Sequence, residues 1–89
     1  MSKFLKVDQI KGDGEILKCF IDVQKIKMLG RIPINTKIFM YEDEDKKFNL
    51  HKNGYKTMIS LNENLNVLNF CCKLSFEELI EKCDIEIIE

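Results

Sequence analysis

The chain has 89 residues, 45% of them hydrophobic and 33% charged, and a net charge of −1 at pH 7. That length holds a single domain, residues 1–89, with one core and modest stability as a monomer, and no apolar run reaches the roughly 20 residues of a membrane span. A near-neutral balance argues against a general nucleic-acid binder, which needs a net basic footprint.

The charge is unevenly spread. Residues 1–40 carry eight Lys or Arg against four Asp or Glu, and residues 41–89 carry six against eleven, so one half is about +4 and the other −5. Such a split permits electrostatic self-association. The opening Met1-Ser2-Lys3-Phe4-Leu5 alternates polar with apolar residues instead of forming a signal-peptide core, so a cytoplasmic protein with no membrane partner is expected.

Phe4 to Ile10 alternates as a first strand, with Leu5 and Val7 on one face and Lys6 and Asp8 on the other. Lys11-Gly12-Asp13-Gly14 then offers a tight hairpin turn. Glu15 to Ile26 reads as one longer strand, with Leu17, Cys19, Ile21 and Val23 facing a core. Ile16 and Phe20, on its opposite face, need cover from a C-terminal helix or from another subunit.

Gly30 and the only proline, Pro33, mark Lys27 to Asn35 as a loop. Alternation resumes from Thr36 to Tyr41, and the acidic tip Glu42-Asp43-Glu44-Asp45 turns it back as Phe48 to His51. Asn53-Gly54 is a strong type I′ hairpin signal leading into a strand at Thr57 to Leu61. Leu65 to Cys72 forms the last long strand.

Ser75-Phe76-Glu77-Glu78 is a capping box, with Leu74 and Leu79 placed as a hydrophobic staple, and predicts a helix from about Phe76 to Cys83. The tail Asp84 to Glu89 alternates as an edge strand or frays. The fold expected is α+β: a small antiparallel sheet or open barrel of about five or six strands with one C-terminal helix. Unprotected sheet edges make a homo-oligomer the expected state.

No catalytic constellation is legible. The single histidine, His51, sits near a turn with no nucleophile placed beside it, and the acidic tip is a solvated run rather than a pair of carboxylates held across a cleft. Cys19, Cys71, Cys72 and Cys83 read as buried thiols of a reducing compartment, because adjacent Cys71 and Cys72 on a strand face opposite ways and no C-x-x-C spacing occurs. Neither a metal nor a cofactor is implied.

The most ligand-like stretch surrounds Arg31, the only arginine beside thirteen lysines. Arg31 and Lys37, with backbone N–H groups near Gly30, would hold a small anion. The alternative is an arginine exposed to water or paired with a carboxylate. Tyr41 and Tyr55 flank turns, where a tyrosine serves an interface or stacks on a base.

Phe4-Leu5-Lys6-Val7 with a glycine turn, then Phe20-Ile21-Asp22-Val23-Gln24-Lys25-Ile26, resembles the opening of the FlbD family of small flagellar proteins and of short, often phage-encoded proteins that share the pattern. Thr57-Met58-Ile59-Ser60-Leu61, a polar turn, Val67, and Ser75-Phe76-Glu77-Glu78-Leu79-Ile80 resemble its closing strands and capped helix. The resemblance covers about two thirds of the chain and departs from the family between Lys27 and Tyr55. It carries over no catalytic residue.

What the resemblance implies is a non-enzymatic binding protein with a counter-defence role in a host cytosol, sequestering a nucleotide-type signalling molecule between subunits. On that expectation Arg31 and Lys37 neutralise phosphate, Tyr41 or Tyr55 stacks the base, and His51 donates a hydrogen bond. The competing expectation is a protein-binding adaptor or inhibitor that acts through a sheet edge and its acidic surface.

Overall fold

The computed structural model describes residues 3–39, 47–63 and 66–88. β1 (Phe4–Ile10) and β2 (Ile16–Asp22) form a hairpin in unbroken register from Phe4↔Asp22 to Ile10↔Ile16. Its turn is closed by the Lys11 N–H donating to the Glu15 carbonyl and the Gly14 N–H donating to the Lys11 carbonyl, both at 2.9 Å. Of the two turn glycines, Gly14 takes the left-handed conformation at φ 89°, as the last residue of a three-residue hairpin loop requires.

The long strand expected from Glu15 to Ile26 is cut short. The Asp22 side chain accepts from the Gln24 N–H at 3.0 Å and caps a 3₁₀ turn at Val23–Lys25, a local bond that competes with continuing the strand. The chain then enters β3 (Ile26–Arg31), which occupies much of the segment expected as a loop. Gly30 does not interrupt it, and the turn falls later, where the Thr36 N–H reaches the Pro33 carbonyl.

β4 (Lys37–Phe39) and β5 (Lys47–Asn49) make a separate two-stranded antiparallel sheet. The acidic tip at 42–45 lies outside the described residues. Asn53-Gly54 does not make the expected two-residue hairpin, because β5 pairs with β4 and not with the strand that follows. Instead His51–Asn53 is a 3₁₀ turn, and Gly54, at φ 87°, closes it by donating its N–H to the His51 carbonyl at 3.0 Å.

β6 (Thr57–Glu63) and β7 (Asn66–Cys72) pair antiparallel along their whole length. The main sheet has the order β2-β1-β7-β6-β3, antiparallel throughout. Among the described residues it is an open sheet and not a closed barrel. Helix α1 (Phe76–Lys82) follows, with both hydrogen bonds of the Ser75–Glu78 capping box present. After the helix, Asp84 adopts φ 53°, and residues 85–88 form no strand.

Strand alternation sorts the apolar residues to two faces. On one, Val7, Ile21, Ile59, Leu61, Phe70 and Cys72 pack beneath Leu79 and Cys83. On the other, Ile32, Leu50, Tyr55 and Cys71 pack with Ile10, Ile38, Phe48 and Met58. The sheet thus divides what composition alone suggests as one core, and it places Cys71 and Cys72 on opposite sides as alternation requires. The helix covers the face of Cys19 and Ile21, so it leaves Phe20 70% exposed and Ile16 41% exposed.

Candidate functional site

β1 and β7 are joined at one register pair, Asp8↔Cys71. Beside that pair lies a cleft of about 230 Å³ bordered by Lys6, Asp8, Lys18, Cys71 and Lys73. Backbone register explains the grouping. Lys6 and Asp8 alternate away from buried Val7, Lys18 is the cross-strand partner of Asp8, and Lys73 lies two residues beyond Cys71. Among the described residues, three ammonium groups and one carboxylate border the cleft, a net positive set.

Asp8 is held in place. The Tyr55 hydroxyl, buried beneath, donates to Asp8 Oδ2 at 2.6 Å, and Lys73 Nζ lies 5.6 Å from the centre of the Tyr55 ring. Burial, then the bond to Asp8, then the Asp8 charge push the Tyr55 hydroxyl well above its ordinary range. The Cys71 thiol is raised to about 11, first by burial and then by the Asp8 and Cys72 charges. It therefore stays protonated at neutral pH and is a poor nucleophile.

The residues singled out from the sequence do not form one site. Arg31, at the end of β3, pairs with Glu77 of α1 and lies 4.6 Å from the centre of the Phe76 ring. This is the paired arginine of the alternative reading, and it ties the helix to the sheet. Lys37 lies exposed on β4, in register with Asn49. Tyr41 lies outside the described residues.

His51 is half-buried, and its Nε2 donates to the Ile32 carbonyl, joining the 3₁₀ turn to the end of β3. Tyr55 does touch the cleft, through Asp8, but as a buried support rather than a stacking surface. No hydrogen bond, ion pair or ring contact among the described residues joins Arg31 to Lys37, His51 or Tyr55.

Sequence reading missed Lys6, Asp8, Lys18 and Lys73. The signal for the first three was present in the β1–β2 register, which sets Lys18 opposite Asp8. What alternation cannot supply is the neighbour across the sheet, β7, which brings Cys71 and Lys73 alongside. Among the described residues, no group of three His, Cys, Asp or Glu is placed to hold a metal ion. No helix among them is long and apolar enough to cross a membrane. Comparison with family models, curated proteins and solved structures finds no match to this chain.

Proposed function

We propose that this chain is a small binding protein without catalytic activity that takes a phosphate-bearing ligand of nucleotide type in the Lys6–Lys18–Lys73 cleft. The observation that carries the reading is the convergence of three lysines from two strands and a loop on one concavity, where Tyr55 anchors the carboxylate of Asp8. Two ammonium groups neutralise a phosphate dianion. Asp8 repels a bare anion but accepts from a sugar hydroxyl or an amino group, which favours a nucleotide over inorganic phosphate.

Sequestration of such a ligand, the role that the resemblance implies, asks for no chemistry beyond this. Isothermal titration calorimetry with AMP and with inorganic pyrophosphate, each at low and high salt, tests it. The expected result is salt-sensitive binding weakened about tenfold by Lys6→Ala or Lys73→Ala, about 1.4 kcal/mol each, and unaffected by Arg31→Ala. Absence of binding by both probes, or affinity indifferent to Lys73→Ala, overturns the assignment.

A further inference from the structure

The five-stranded sheet ends in two edges, β2 and β3. β3 is blunted by a register shift between Ile26 and Met28. β2 has charged Lys18 and Asp22 as its edge protection and no bulge or proline. Its register is regular over seven residues, and among the described residues no strand lies against its outer side.

The hydrogen bonds at the two ends of the hairpin determine which β2 groups face outward. The Lys11 N–H donates to the Glu15 carbonyl at 2.9 Å and the Val23 N–H donates to the Lys3 carbonyl at 3.0 Å. Bonded and non-bonded pairs alternate in an antiparallel ladder. Residues 17, 19 and 21 therefore turn their backbone groups to β1, while Ile16, Lys18, Phe20 and Asp22 turn theirs to the open edge.

We propose that a second copy of this chain pairs antiparallel with β2 across a two-fold axis at Phe20, extending the sheet to ten strands. This register sets Phe20 against Phe20 of the second copy and Lys18 against Asp22 of the second copy, twice over by symmetry. All three positions carry outward-facing backbone groups, so the ladder closes. Moving the axis to Lys18 opposes two lysines, and moving it to Cys19 sets Lys18 against phenylalanine and Asp22 against Ile16. Charge complementarity thus selects the Phe20 axis.

The pairing also gives Phe20, 70% exposed, an apolar partner. Lys18 then lies between Asp8 of its own chain and Asp22 of the second copy, so the second copy adds a carboxylate at the rim of the lysine cleft. The pairing needs no ligand and stands independently of the binding proposed above.

Sedimentation velocity over a hundredfold range of protein concentration tests the assembly, with circular dichroism melts to verify folding of each variant. The expected result is a concentration-dependent species of twice the 10.5 kDa chain mass, lost in Phe20→Lys and retained in Phe20→Tyr. In a Cys19→Ala background, Phe20→Cys joins two chains by a disulfide under mild oxidation, since bonded antiparallel partners have Cα atoms about 5.5 Å apart. Ile16→Cys does not, because the axis separates its two copies by roughly 27 Å. A monomer at every concentration, a dimer unaffected by Phe20→Lys, or cross-linking at residue 16 in place of 20 overturns the proposal.

Discussion

Tyr55 joins two parts of the molecule through one hydroxyl. Its ring packs with Leu50, Ile32 and Cys71 behind the sheet, while its oxygen holds Asp8 at the edge of the cleft. Tyr55→Phe keeps the packing and leaves the Asp8 carboxylate without that donor. We expect a loss of about 1–3 kcal/mol in urea unfolding, together with weaker AMP binding as Asp8 loses its fixed position. Unchanged stability would show that water replaces the hydroxyl without cost. The sequence placed Tyr55 beside a turn and hence at the surface. Its burial follows from the 3₁₀ turn at His51–Asn53, which lets the Tyr55 N–H return to the Leu50 carbonyl at 3.0 Å.

At the level of the element, the C-terminal helix was legible because its determinants lie within a few residues. Ser75 Oγ accepts from the Glu78 N–H at 3.1 Å, Glu77 and Glu78 complement the positive end of the helix, and Lys82 complements the other end. Seven residues are too few for a helix to persist alone, so its stability comes from Leu79, which is fully buried. Leu79→Ala is expected to cost about 2–5 kcal/mol and Ser75→Ala about 1 kcal/mol, measured as shifts in the denaturant midpoint. An equal cost for the two would mean that capping and packing contribute alike. β3 was not legible, because Gly30 and Pro33 signal a turn when read locally. Pairing with β6, in the register Leu29↔Ile59 and Arg31↔Thr57, overrides that signal.

Across the whole molecule, the buried acids make stability depend on pH in the alkaline range. Cys71 is raised from an ordinary 9.0 to about 11, chiefly by burial, and Cys72, Cys83 and Tyr55 are raised in the same direction for the same leading reason. Between pH 9 and 11 the unfolded chain has released protons that the folded chain still binds. Stability is thus fully present below pH 9 and falls as pH rises through this window. Thermal melts at pH 7, 9 and 11 should show a progressive drop in Tm above pH 9. A flat profile would mean that these thiols and the tyrosine ionise as freely in the folded protein as in the unfolded one.

The sequence by itself determined the α+β class, the first hairpin, the capped helix and the opposite orientations of Cys71 and Cys72. All of these follow from bonds and alternation over a few residues. Tertiary structure alone decided the strand order, because β1 pairs with β7 across more than fifty residues of chain and no local periodicity encodes that choice. The strand order in turn sets the functional geography. It gathers Lys6, Lys18 and Lys73 into one cleft, commits Arg31 to the helix, and leaves β2 as an edge with no strand on its outer side among the described residues.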